Sequence, residues 1–313
     1  MISRRIIRTK VLQVSYACQI SSEKTIGNAE KELHFSLKKT FDLYHLILQL
    51  PVEIAFYAES LIVLRKNKHI PTEEDLNPNL RFVNNEIIKL LGSNHNLNEY
   101  LKQTKVGWNN EQDIVKKLYK SLVESDLYKR YMNSPENDLA RDKKFIEQLL
   151  SEIVLQEEEL LLLLEEQSIY WNDDLDFVVS MVIKTIKKLD KTQSSNLLPQ
   201  YKNKDDMEFG SMLFLKCMAN HVLLRKIVEQ HTMNWDIDRI ACIDQLIMEM
   251  AIAEFLYFPS IPTKVTINEY IELSKYYSTD KSHNFINGIL DKALKALKEE
   301  GKVKKTGRGL IEE

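Results

Sequence analysis

One segment near the end of the chain, residues 282–298, constrains the fold more than any other. Its apolar residues recur at helical spacing and form a stripe made of Phe285, Ile286, Ile289, Leu290, Ala293, Leu294 and Leu297. A helix with such a stripe must pack against other apolar elements. Gly288 lies in the same stretch, where glycine costs roughly 1 kcal/mol relative to alanine. We therefore expect another backbone, of protein or nucleic acid, to approach closely at Gly288, and we expect the Asn287 amide to be buried.

The composition favours helices throughout the chain. Its 313 residues are 44% hydrophobic and 28% charged, which is an ordinary balance for a soluble protein. Only eight glycines and seven prolines are present, while leucine, lysine, glutamate and isoleucine are plentiful. These residues are good helix formers, so the predicted fold class is all-α.

Helical periodicity recurs along the chain between a small number of breaks. We expect Pro51 to interrupt a helical pattern that covers residues 35–48 and resumes at 54–64. Further helices are expected over 84–102 and 112–132, and a long acidic helix over 142–167. Residues 191–204 are rich in Ser, Asn, Lys and Gln and form a predicted polar linker. Helices are then expected over 206–235, 238–257, 263–277 and 282–298.

Two motifs in the last third of the chain match a known family in order and spacing. The first is PTKVTINE at 262–269, followed by ELSK at 272–275, and the second is SHNFINGILDK at 282–292. With them, the chain resembles the NusB family, all-helical RNA-binding factors of bacterial transcription antitermination. Residues 1–18, with Gln13 and Tyr16 in a QxxY pattern, are similar to the first helix of that family.

The resemblance implies a discontinuous arrangement of domains. A NusB-like helical bundle would be formed by residues 1–21 and 201–300. Residues 22–200 would be an additional helical subdomain of unknown role, inserted after the first helix. That segment repeats apolar residues at helical spacing, so we expect it to fold. Residues 301–313, with four cations among glycines, are expected to be a flexible basic tail.

The start of the first helix is the main candidate for RNA binding. Arg4, Arg5, Arg8 and Lys10 lie there without any acid before Glu23. Cations at a helix N-terminus oppose the macrodipole, and an anionic partner would explain their placement. Two other readings of this composition are a solvated N-terminus and an organellar transit peptide. The resemblance to a mature first helix favours RNA.

The start of the last long helix is the second candidate. In NusB-like proteins it lies beside the first helix and shares in RNA contact, which implicates Lys281 and Phe285 here. An aromatic ring such as Phe285 could stack an unpaired base. The alternative for Phe285 is a place in the core, because it belongs to the apolar stripe.

Two acids are candidates for binding a protein partner. NusB proteins present acidic side chains to NusE, which is also a small-subunit ribosomal protein, and the resemblance places Asp238 and Asp244 at these positions. The six-residue spacing does not put them squarely on one helical face. Asp238 could instead cap its helix, and either residue could be a solvated charge.

The resemblance implies an RNA-binding transcription factor and not an enzyme. It would pair with NusE, bind a boxA-like single-stranded leader RNA of ribosomal RNA operons, and act in an RNA polymerase antitermination complex. The net charge of −3 requires the RNA site to be a local patch. No glycine-rich phosphate loop or HExxH motif is present, so we expect no catalysis, no metal and no cofactor.

Three widely spaced cysteines without a CxxC pair predict reduced thiols and a cytoplasmic location. We expect no membrane segment, because no uncharged apolar run is long enough. One alternative function is a helical scaffold that binds protein only. Another is an accessory module of a ribosomal RNA methyltransferase, for which the catalytic domain and its motifs are missing from this sequence.

Overall fold

The computed structural model describes residues 2–21, 25–135, 138–190, 192, 197–232 and 240–310. Within these residues the secondary structure is helical and no strand is present, which confirms the predicted all-α fold. The α-helices of the described residues are α1 (Arg4–Ile20), α2 (Ile26–Lys66), α3 (Glu73–Leu76), α4 (Glu86–Gly92), α5 (His95–Thr104), α6 (Gln112–Glu124), α7 (Asp126–Met132), α8 (Leu139–Gln148), α9 (Glu158–Gln167), α10 (Leu175–Lys188), α11 (Lys204–Ala219), α12 (His221–His231), α13 (Cys242–Tyr257), α14 (Thr263–Tyr277) and α15 (Ser282–Glu299).

The chain divides into two compact units. The terminal unit comprises Ile2–Leu37 and Tyr201–Glu313, and the middle unit comprises Lys38–Gln200. The first boundary lies inside α2, whose residues 26–37 belong to the terminal unit. The sequence analysis had placed this boundary after residue 21. The two ends of the chain build one unit together, although more than 160 residues separate them.

The helix α2 is continuous through Pro51, so the predicted interruption there is wrong. Proline removes one helical hydrogen bond and costs roughly 3 kcal/mol in a helix interior. Around Pro51 the helix is fully packed, with Ile47, Leu50 and Ile54 all inaccessible to solvent. The indole Nε1 of Trp108 donates to the carbonyl of Leu46 at 2.9 Å, one turn before the proline. Tertiary packing outweighs the local preference.

By length and composition α2 could cross a membrane, although the sequence analysis expected no membrane segment. It is 41 residues long and contains an 18-residue apolar window, 44% of which is buried inside the structure. The middle unit uses many of its apolar residues as core, including Leu43, Ile47 and Leu50. Packing in this core accounts for part of the hydropathy of the helix.

The predicted long acidic helix over 142–167 is likewise wrong. The structure contains α8, a π turn at Leu149–Ile153, a 3₁₀ turn at Val154–Gln156 and then α9. The expected helix over 112–132 is also divided, because Ser125 ends α6 and caps α7 by accepting from the backbone N–H of Tyr128 at 3.1 Å. Serine at such a position offers the backbone an alternative to continuing the helix.

In the terminal unit, α13 is the central helix. Every residue from Leu246 to Phe255 is buried. Around it pack α1, α11, α12, α14 and α15. A helix that is buried on all sides needs apolar residues around its whole circumference, which the sequence of α13 supplies.

A close helix contact occurs at Gly210 of α11, which faces α1. A Cβ atom at this position would lie 2.9 Å from Cγ2 of Ile7 and 3.7 Å from Cδ1 of Leu37. Real Cβ atoms do not approach other carbon atoms this closely. Glycine at position 210 therefore allows the two helices to pack at this distance.

The expectations for Gly288 and Asn287 are not met within the chain. Both residues are exposed, and a Cβ at Gly288 would meet no atom of the described residues within 4 Å. The buried face of α15 contains Ile286, Ile289 and Leu290, so positions 287 and 288 fall on the outer side. The Asn287 amide is close to Asp291 Oδ2 at 3.5 Å and is not buried.

The C-terminal segment up to residue 310 is docked onto the terminal unit, where we had expected a flexible tail. Thr306 donates its N–H to the carbonyl of Pro259 at 3.0 Å, and Lys305 Nζ donates to the carbonyl of Phe258 at 2.9 Å. Gly309 is buried against Pro259, whose carbonyl oxygen would clash with a Cβ at this position. The turn between α13 and α14 therefore holds the segment in place.

We predict that alanine at the two helical glycines has opposite effects on stability. Gly288→Ala should stabilise the protein by about 1 kcal/mol, because it gains helix propensity in open space. Gly210→Ala makes the same gain but overpacks against Ile7, at a cost of roughly 1–3 kcal/mol. Urea unfolding of both variants measures the difference. Equal shifts in the same direction would show that α1 and α11 do not pack tightly at Gly210.

Candidate nucleic-acid interface

Helix α1 begins at Arg4, so its N-terminal part contains the cations that the sequence predicts there. Ser3 caps the helix, with its Oγ accepting from the backbone N–H of Ile6 at 3.5 Å, and the first turn contains no acid. The three arginines of α1 each meet a carboxylate from a different helix. These ion pairs are Arg4 with Asp206 of α11, Arg5 with Glu269 of α14, and Arg8 with Glu254 of α13.

Arg8 is buried in a hydrogen-bonded ion pair. Its Nε and Nη2 donate to the two carboxylate oxygens of Glu254 at 2.8 and 2.7 Å, and the side chains are 3% and 0% exposed. Thr266 Oγ1 and Tyr270 OH also donate to Glu254, at 2.7 and 3.2 Å. Burial opposes the charge of Arg8, but the charge of Glu254 and the bonds to it prevail, so the Arg8 pKa is raised. Arg8 therefore holds α1 to α13 and does not face solvent.

Arg5 is the most accessible of the three, with 55% of its side chain exposed. Its Nε and Nη2 donate to both oxygens of Glu269, at 3.0 and 2.8 Å. The hydrogen bonds to Glu269 raise the pKa of Arg5. Arg4 is 31% exposed, donates from Nε to Asp206 at 2.8 Å, and lies 5.1 Å above the ring of Phe209.

Lys10 is 1% exposed and is among the most completely buried side chains of the protein. Of the four cations predicted at the start of α1, the structure thus places two, Arg4 and Arg5, at the surface. Arg8 and Lys10 lie in the interior. The sequence could not separate Arg8 from Arg4 and Arg5, because these three share one side of α1. Lys10 lies on the opposite side of the helix, so helical spacing did carry a signal against placing it in the same patch.

The start of α15 contains the other predicted contacts. Lys281 is exposed at the N-cap position and makes no ion pair with any described residue. Phe285 is half-buried, between the two readings given by the sequence. Ser282 is buried, and its Oγ donates to Asp244 Oδ2 at 2.8 Å.

Asp244 is therefore not a solvent-facing acid. It is 6% exposed at the start of α13 and connects that helix to α15 through Ser282. Replacing Asp244 by lysine would remove the acceptor of the Ser282 hydrogen bond and bury a positive charge. Such a substitution would therefore perturb the start of α15 directly. Asp238 lies outside the described residues.

α1 and α14 run side by side in parallel. Arg5 pairs with Glu269, and eight residues further along each helix Gln13 Nε2 donates to Tyr277 OH at 3.1 Å. The turn that carries Lys281 therefore follows directly after the end of this contact. Tyr276, which precedes Tyr277, is 76% exposed.

The acids that pair with the arginines were not predicted from the sequence, and neither was Tyr276. Glu254 carried a recognisable signal, since it lies inside the apolar run from Met250 to Phe255. An acid in a buried helix requires a partner. Glu249, one turn earlier, is also buried, with its Oε2 2.7 Å from His221 Nδ1, and burial raises its pKa.

We predict that Glu254→Gln destabilises the protein by about 3–5 kcal/mol, because it leaves the buried Arg8 with only the more distant carboxylate of Glu269, 3.6 Å from its Nη1. Asp206→Asn is the matched control, since it removes a carboxylate from the partly exposed Arg4 pair. The control should cost about 1 kcal/mol or less. Thermal or urea unfolding compares them. Similar losses for the two variants would contradict the role given to the buried pair.

Comparisons with known proteins identify a family for the last part of this chain. A model of the NusB family matches residues 175–295. The match begins at the first residue of α10, in the segment for which the motifs had suggested no counterpart, and it does not include α1. A solved structure of T. maritima NusB is 26% identical, covers 46% of this chain and 92% of its own, and superposes with a TM-score of 0.30.

Among curated relatives, transcription antitermination protein NusB of Salinibacter ruber is 42% identical over 33% of this chain and 65% of its own length. The protein of that name from Chloroherpeton thalassium is 49% identical over 27% and 40%. This chain thus spans less than two thirds of these two relatives. NusB of Finegoldia magna is 43% identical over 30% of this chain and 68% of its own length. The chain belongs to the NusB family.

Proposed function

We propose that this protein is an RNA-binding transcription antitermination factor of the cytoplasm. In this proposal it pairs with NusE, binds boxA-like single-stranded leader RNA of ribosomal RNA operons, and joins an RNA polymerase antitermination complex. Relatives named transcription antitermination protein NusB support the antitermination role. The role is one of binding and needs no catalytic group, metal or cofactor.

The observation that carries the RNA site is a row of exposed side chains along α14 and the turn after it. Arg5 lies over Glu269, Tyr276 is exposed on the same face seven residues later, and Lys281 opens the next helix. Seven residues of helix span about 10 Å. Cations spaced around an exposed aromatic ring suit a single strand, since phosphates pair with the cations and a base stacks on the ring.

In this row Tyr276 is better placed for stacking than Phe285. Its ring is 76% exposed, whereas Phe285 is half-buried on the apolar stripe of α15. We keep Phe285 as a contact at the edge of the site. The N-terminal amides of α15, next to Lys281, could also bind a phosphate.

The ion pair with Glu269 does not prevent Arg5 from binding phosphate. A guanidinium has five N–H donors, and Glu269 occupies one on Nε and one on Nη2. The remaining donors, including both of Nη1, are on a side chain that is 55% exposed. Exposed ion pairs contribute only about 0–1 kcal/mol, so a phosphate can share or displace this one.

A second candidate function is a protein-binding scaffold without RNA. It is favoured by the pairing of Arg4, Arg5 and Arg8 with carboxylates, which weakens the positive potential of the α1 start. NusE pairing is compatible with both candidates. In either case Asp244 would affect NusE binding by positioning the start of α15, and it would not contact NusE as an exposed charge.

We expect the double variant Arg5→Gln/Lys281→Gln to lower the salt dependence of binding to a boxA-like RNA. Each cation that pairs with a phosphate of a single strand contributes about 0.7 to the slope of log K against log salt, so the slope should fall by about 1.4. Fluorescence anisotropy over a salt series, with and without NusE, gives this number.

The control is Lys292→Gln/Lys295→Gln, which removes the same charge from exposed positions elsewhere on α15. Its slope should equal that of the parent. A parent protein that binds NusE but no RNA would establish the scaffold function instead. Equal slopes for the site variant and the control would remove Arg5 and Lys281 from the RNA site.

A further inference from the structure

The middle unit contains a cationic pocket that the proposed function does not use. It is an open cleft of about 180 Å³ between α7 and α8. Arg130 of α7 and Arg141 and Lys144 of α8 line it together with Gln148. Arg141, Lys144 and Gln148 are spaced i, i+3 and i+7, so they share one face of α8.

The floor of this pocket is formed by buried, mainly apolar side chains. Leu127, Tyr131 and Phe145 form it, and all three are buried. The rings of Tyr131 and Phe145 stack with centroids 3.9 Å apart, and the guanidinium of Arg81 lies 4.6 Å from the centre of the Tyr131 ring. Because both faces of Tyr131 are covered, the ring supports the pocket and offers no surface for a base.

The described acids of α7 and α8 are directed to other partners. Asp142 is buried beneath the floor, where its Oδ1 accepts from Tyr131 OH at 2.6 Å and its Oδ2 accepts from the N–H of Glu86 at 2.7 Å. Asp126 of α7 pairs with Lys129 at 3.6 Å, Asp138 caps α8, and Glu147 pairs with Lys187 at 3.4 Å.

The cations of the rim are only partly compensated. Arg130 and Lys144 are exposed and make no ion pair with any described residue. The pocket therefore combines an apolar floor with a positive rim in which the described residues provide no ion pair for Arg130 and Lys144, in a chain whose net charge is −3. Such a concave positive site attracts anions.

Size and charge together select the kind of anion. Clefts that enclose free small molecules usually measure about 300–1,000 Å³. This pocket is smaller and open, so it fits a phosphate group with its attached sugar while the rest of the ligand remains outside. Arginine and lysine in combination are the usual donors to the phosphates of a nucleic acid strand.

We propose that the α7–α8 pocket is a second RNA contact, which binds the phosphodiester backbone of the strand outside the boxA-like element. The inference rests on the proposed RNA-binding function and extends it to the middle unit. Arg130 and Lys144 donate to the phosphate oxygens, Arg141 completes the rim, and the buried Tyr131 and Phe145 fix the shape.

The test uses the full-length protein with Arg130→Gln/Lys144→Gln. Neither side chain has an ion pair with the described residues, so the fold should be retained, which circular dichroism and unfolding verify. The control is Lys102→Gln/Lys120→Gln, at exposed positions of the middle unit away from the pocket. The probe is a single-stranded RNA that carries a boxA-like element with flanking nucleotides on both sides.

For this RNA the pocket variant should lower the slope of log K against log salt by about 1.4, because it removes two cations that contribute about 0.7 each. The control should leave the slope unchanged. For the boxA-like element without flanks, both variants should bind as the parent does.

Two outcomes would overturn the inference, and they are distinguishable. If the parent binds the RNA but the pocket variant and the control share its slope, the pocket does not bind RNA and the proposed function stands. A pocket used by a free phosphorylated compound or an acidic protein would give this result. If the parent binds no RNA of either length, the proposed function fails and the inference fails with it.

Discussion

The terminal unit depends on one buried carboxylate, that of Glu254. It accepts two hydrogen bonds from Arg8 and one each from Thr266 and Tyr270, so it joins α13 to both α1 and α14. An isolated charge in an apolar interior would cost many kcal/mol, and only a full set of partners makes it tolerable. The requirement for a cation at position 8 therefore fixes where α1 must dock, and Gly210 on α11 provides the space for it.

This constraint links the fold to the proposed function. Because Arg8 is directed into the core, Arg5, three residues earlier, is directed to the surface of α14. The parallel contact of α1 with α14 continues from Arg5 to Gln13 and ends beside the turn that carries Lys281. The position of Arg5 in the exposed row with Tyr276 and Lys281 is thus a consequence of how the buried pair orients α1. The middle unit is inserted in the sequence between these elements and carries its own positive pocket.

How much the sequence could predict depended on whether local patterns decided the outcome. The apolar stripe of α15 and the all-α class follow from helical period and composition, and both are present in the structure. The predicted interruption at Pro51 was wrong because packing around Ile47 and Ile54 outweighs the local effect of proline on the helix. Arg8 and Asp244 were assigned to the surface because charged side chains are usually exposed. In the structure each is buried with a hydrogen-bonding partner on a helix that lies far away in the sequence. Such partners are set by tertiary contacts between residues far apart in the chain.

Native-state hydrogen exchange of the parent protein tests the central claim most directly, since it reports the free energy at which each segment opens. If Glu254 makes α1 an integral part of the core, the amides of Arg8 to Leu12 should exchange with the same opening free energy as those of Met250 to Glu254. In that case both segments are exposed only by unfolding of the whole terminal unit. Exchange of the α1 amides through a smaller opening, while α13 stays protected, would contradict the account.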